Sequence, residues 1–201
     1  MVSPDSQREG RRRPRASKRG GSRRAAERSE NVFRRASTAR AVVLVAFGAL
    51  LQAVVVPYLS FGLVAPALAV LCVVVATAGL KGSVALPVGF FGGTLVDALG
   101  SGIFGVGALS GVLAAALSSR AGVIEGTGAN RLLLAGVVAA AAAAHDLVSV
   151  AALGLSGDSW PPVAGFVSLG ILPDAILNGA LAYLVGGLLL RLVLVKEKAW
   201  T

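Results

Sequence analysis

Beyond Arg40 the chain carries almost no charge, and this constrains its fold more than any other feature. Residues 41–201 hold six Lys or Arg and six Asp or Glu, while 55% of the whole chain is hydrophobic. The other thirteen basic residues and four acidic ones lie in residues 1–40, so the formal charge of +9 resides entirely in that segment. A globular domain needs a charged surface around its core. A long neutral apolar body joined to a basic polar tail has the composition of an integral membrane protein.

The first forty residues show no apolar periodicity, and Val2, Val32 and Phe33 are their only sizeable aliphatic or aromatic side chains. Such a segment cannot bury enough surface to offset its ordering entropy, so residues 1–40 are predicted to be a disordered, Arg-rich cytoplasmic tail. Its nearest binding surface is anionic lipid, at about 1 kcal/mol per surface-bound Lys or Arg; no nucleic acid is expected. The plainer reading is that the tail only sets orientation. It is not expected to be a secretory signal, because the hydrophobicity continues almost to the C-terminus.

A spanning helix needs about 20 mostly apolar residues. Six such stretches are read, at about 41–59, 62–80, 83–99, 103–119, 131–154 and 165–190. With the tail inside, six crossings put Lys81, Arg120, Arg131, Arg191, Lys196 and Lys198 on the cytoplasmic side. The outer loops "PYLSFG", "GSG" and "SGDSWPP" then contain no Lys or Arg, as the positive-inside rule requires. The expected fold is therefore all-α: a compact bundle of about six transmembrane helices with both termini cytoplasmic. Its membrane domain would cover residues 41–192 and its short cytoplasmic C-terminus residues 193–201.

Ionisable groups at membrane depth are costly and usually face the protein interior. Asp97, His145, Asp146, Asp174 and Asn178 are the intramembrane polar candidates. His145 and Asp146 are neighbours and point about 100° apart on a helix, while Asn178 follows Asp174 by one turn. A cluster of Asp146 or His145 with Asp174 and Asn178 can be read as a proton or substrate relay, or as interhelical polar glue worth about 1 kcal/mol. Asp97 lies near the "GSG" turn, where it can accept hydrogen bonds from the turn and start the next helix, or meet a ligand.

The stretch "GFFGGTLVDALGSGIFGVGALSG", residues 89–111, contains two G-x-x-x-G spacings, Gly89–Gly93 and Gly107–Gly111. In lipid, helices associate through close backbone approach at small residues. These four glycines are candidates for packing against each other or against a partner's helix. Chemistry is harder to find. With one histidine and one cysteine, Cys72, a Cys/His zinc site and an intrachain disulfide are excluded, and Lys81-Gly82 lacks the glycine spacing of a phosphate loop. No catalytic, cofactor or metal site is assigned, and the chain is not expected to be an enzyme.

Two stretches carry a family resemblance. Residues 61–120 have a proline-marked second span, a G-x-x-x-D segment on Gly93 and Asp97, and a small-residue turn into an apolar helix. Residues 171–192, "ILPDAILNGALAYLVGGLLLRL", have Leu-Pro near the start, Asn178 in mid-helix and Arg191 at the end. Together they resemble the rod shape-determining protein MreD family. The chain departs from that pattern in Ala67, which follows Pro66 where an acidic residue is common, and in the His145-Asp146 pair and the long tail. The resemblance implies a non-enzymatic component of the bacterial elongation machinery in the cytoplasmic membrane. Such a component helps organise lateral peptidoglycan synthesis and regulate cell shape. Its implied partners are an MreC-like protein, actin-like MreB and, indirectly, a RodA-type glycan polymerase with its penicillin-binding transpeptidase. The alternative is a substrate-binding membrane subunit of an energy-coupling-factor type vitamin importer, for which Tyr58, Asp97 and Trp160 would be the main outer-side candidates. A small proton-coupled transporter built on His145, Asp146 and Asp174 is a third possibility.

Overall fold

The computed structural model describes residues 34–60, 64–125, 128–157 and 167–196. Six principal helices account for most of them: α1 (Thr38–Val54), α2 (Leu68–Thr77), α3 (Gly82–Leu99), α4 (Val106–Arg120), α5 (Arg131–Leu155) and α6 (Leu172–Val193). A one-turn helix, Val56–Leu59, follows α1, and a π-helical turn, Val167–Ile171, leads into α6. Three helical stretches, Gly82–Leu99, Arg131–Leu155 and Leu169–Val193, are long and apolar enough to cross a membrane; α1, α2 and α4 are shorter apolar helices. The described chain is predominantly helical, and by length and composition its three long apolar helices are those of a membrane protein.

Each principal helix falls within or close to one of the six expected stretches, but the second is much shorter than expected. Residues 62–80 were expected to form a span, whereas α2 has 10 residues and so rises only about 15 Å. The reason is local. Pro66 has no N–H and biases its neighbour away from helix, and the described backbone around it, from Val64 to Ala67, is not helical.

α2 is the centre of the bundle and contacts all five other principal helices. Nine of its ten residues, Ala69 to Thr77, are buried. A helix apolar on every side must be buried on every side or face lipid. Its valines are indifferent helix formers in water, but in a membrane the backbone must satisfy its own polar groups, which favours helix regardless. Around it, Leu44 and Val45 of α1, Val88 of α3, Ala114 and Ala115 of α4, Leu134, Val138 and Ala141 of α5 and Leu190 of α6 complete one continuous core.

Two short antiparallel ribbons close the loops. β2 (Ile124–Glu125) pairs with β3 (Gly128–Ala129) between α4 and α5, after which Asn130 caps α5 by accepting the Leu133 N–H at 3.0 Å. β1 (Arg34–Ala36) pairs with β4 (Leu194–Lys196). Arg40 reinforces this closure by donating from Nη1 to the Leu192 carbonyl at 3.3 Å. Helix α1 begins at Thr38, three residues before the expected start of the membrane domain at 41, and the described chain reaches back to Arg34 through β1. Residues 1–33 of the predicted tail, most of "SGDSWPP" and residues 197–201 lie outside the described residues.

Candidate functional site

The closest helix pair is the α3–α4 hairpin. A Cβ built on Gly93 would fall on the carbonyl of Gly107 and lie 2.7 Å from the Ala108 Cα; one built on Gly89 or on Gly111 would fall on the other's carbonyl oxygen. Both G-x-x-x-G faces are therefore spent on each other, in antiparallel register. Of the two expected uses of Gly89, Gly93, Gly107 and Gly111, packing against each other or against a partner's helix, the structure shows the first: all four are buried between α3 and α4. Backbone polar groups at this separation leave no room for a second helix to enter.

Asp97 stands at the end of this seam. Its Oδ1 accepts the Gly107 N–H at 2.7 Å, and its Oδ2 accepts those of Gly105 at 2.9 Å and Ala108 at 3.0 Å. These donors are among the groups that the first turn of α4 leaves without intrahelical partners. A carboxylate is also well placed at a helix N-terminus, where the backbone dipoles present positive charge. The preceding turn reaches this geometry through Gly105, whose φ of +101° is a left-handed conformation favouring glycine. Both oxygens of Asp97 are thus engaged as a cap supplied by the adjacent helix.

A second clasp joins α6 to the entry of α2. Asp174 Oδ1 accepts the Ala65 N–H at 3.0 Å, and Asn178 Oδ1 accepts the Ala67 N–H at 2.6 Å. Asn178 Nδ2 donates to Asp174 Oδ2 at 2.8 Å and to the Ala65 carbonyl at 3.3 Å. Gln52 of α1 completes the set, its Oε1 accepting the Ala69 N–H at 3.2 Å. Non-helical backbone at membrane depth is tolerated only where protein satisfies it, and these three side chains do so on both sides of Pro66. Both Asp174 and Asn178 are buried, at 6% and 1% exposure.

The expected cluster of Asp146 or His145 with Asp174 and Asn178 is therefore only partly assembled by hydrogen bonds. Asp174 and Asn178 of α6 come together against the backbone leading into α2; among the described hydrogen bonds, none links His145 or Asp146 to them. His145 lines two cavities and Asp146 lines neither. The inner cavity, about 40 Å³, lies among α1 to α5 and the segment leading into α2, with Gln52, Ser110 and His145 in its wall. The wider one, about 270 Å³, lies beside the α3–α4 turn, with Asp97, His145 and Ser149 in its wall. Among the described residues no group of three or more His, Cys, Asp or Glu is arranged to hold a metal ion.

Gln52 and Ser110 were not singled out from sequence. A lone amide within an apolar span was a readable signal for Gln52. For Ser110 there was none, since helical serines commonly bond to their own backbone. Comparison with protein-family models, with curated proteins and with solved structures finds no match to this chain.

Proposed function

We propose that this protein is a non-enzymatic, six-span component of a bacterial cell-elongation complex of the MreD type. It would act in the cytoplasmic membrane as a scaffold for lateral peptidoglycan synthesis. One observation carries the reading: the residues on which the resemblance rests are those that lock the bundle. Gly93 and Asp97 make the α3–α4 seam and cap, and Asn178 grips the backbone around Pro66. A protein that invests its intramembrane polar groups in fixing its own helices suits a rigid docking body. The β1–β4 ribbon, which joins the two described ends of the chain, supports an even number of crossings with both described ends on the same side. With the glycine seam occupied internally, partners would bind the outer helix faces rather than the seam.

The test is crosslinking and co-purification of the tagged full chain from its native membranes. Recovery of an MreC-like protein, with MreB and a RodA-type polymerase behind it, is expected. Intact protein recovered without any of them would refute the proposal. A second reading, the vitamin-importer subunit, draws on the 270 Å³ cavity beside the α3–α4 turn. Saturable binding of a labelled vitamin by the purified chain would favour it.

A further inference from the structure

The two cavities that share His145 have a consequence independent of any assigned role. Other buried or half-buried serines and threonines in these helices find a carbonyl, either one turn back or, for Ser118, that of Val74 on α2 at 2.6 Å. Thr77 donates to Val73, Thr94 to Phe90 and Ser149 to His145, at 2.7 to 2.9 Å. Ser110 does not. It is 3% exposed, and its Oγ meets no hydrogen-bond partner among the described residues although the Val106 carbonyl lies one turn back on α4. His145 Nδ1 is also buried without a described partner. Both residues line the inner cavity. An unsatisfied buried polar group costs about 1–3 kcal/mol, so two lining one space point to a ligand that bonds to both.

The volume selects that ligand. A water needs roughly 10–15 Å³ of such space and two to four polar partners. The inner cavity, at about 40 Å³, accepts a few waters and no organic molecule. We propose that the inner cavity is a water-binding site held by Ser110 Oγ and His145 Nδ1. It is filled through the wider cavity beside the α3–α4 turn, and His145 stands between the two. Among the described residues the path ends on α2, whose Val74, Val75 and Ala76 beyond the cavity are each 1% exposed or less. Water reaches the bundle centre from the end opposite the β1–β4 ribbon and stops there. The charged groups within electrostatic reach of His145 are Asp97 on α3 and Asp174 on α6, with Asp146 beside it on α5.

The chain has one histidine, so imidazole ¹⁵N signals in the full-length protein report on this site alone. In lipid nanodiscs, water-edited solid-state NMR should transfer magnetisation from water to the His145 ring far faster than to the buried Val74. Ser110→Val, which removes the hydroxyl and fills the space, should cut that transfer several-fold; Ser110→Ala, the smaller change, should fold and give a partial loss. Transfer to His145 in the unmodified protein as slow as to Val74 would overturn the proposal, whatever the variants do. So would transfer that neither substitution alters.

Discussion

Gly93 offers the sharpest test of how this bundle is held together. In Gly93→Ala the new Cβ would fall on the Gly107 carbonyl oxygen, 2.5 Å from its carbon and 2.7 Å from the Ala108 Cα. All three atoms are backbone, so no rotamer change relieves the overlap. α3 and α4 must separate by about 1 Å, a gap that already forfeits a quarter to a half of each contact's dispersion energy. Overpacking of this kind costs about 1–3 kcal/mol. The separation also pulls Asp97 from Gly107 and Ala108, and each hydrogen bond to a charged group is worth about 1.5–3 kcal/mol. A loss of roughly 3–5 kcal/mol is expected, allowing for partial relaxation. Gly136→Ala is the control, because nothing lies within 4 Å of its Cβ position and alanine is the better helix former. Reversible unfolding in mixed micelles, followed by helical circular dichroism, measures both. Gly93→Ala as stable as the unmodified chain, or no worse than Gly136→Ala, would refute the claim that backbone contact at this seam holds the hairpin.

Asp97→Asn keeps the shape but replaces one accepting oxygen with a donor facing backbone N–H groups, so a loss of about 2–3 kcal/mol is expected in the same unfolding assay. Asn178→Leu should free the segment around Pro66, seen as faster hydrogen exchange at the Ala65 and Ala67 amides with little change at Gly107. For topology, single-cysteine reporters in a Cys72→Ala background should label from outside at Gly102 and from inside at Lys81 and Arg131. Outside labelling at Lys81 would contradict the six-span arrangement.

The helix positions were legible because lipid and water impose different compositions. Runs such as "LAVLCVVVAT" and "LLLAGVVAAAAAAHDLVSVAALGL" have no other stable home. The spacing of Gly89, Gly93, Gly107 and Gly111 marked a close approach, but spacing alone does not say whether the opposing backbone belongs to the same chain. Nearness to the "GSG" turn likewise offered the cap as one reading of Asp97. The shortness of α2 was less visible: Pro66 signalled a break, yet hydropathy runs through it unchanged.

The amino acids alone give this protein the composition of a membrane protein, long apolar helical runs, and a few polar side chains within those runs that need partners. The identity of those partners was a tertiary matter. Asp174 and Asn178 satisfy backbone groups more than a hundred residues away, where a proline lies just ahead of the helix that the other principal helices pack against. A hydrogen-bond deficit in one segment and a surplus in another are both written locally; only packing brings them within reach.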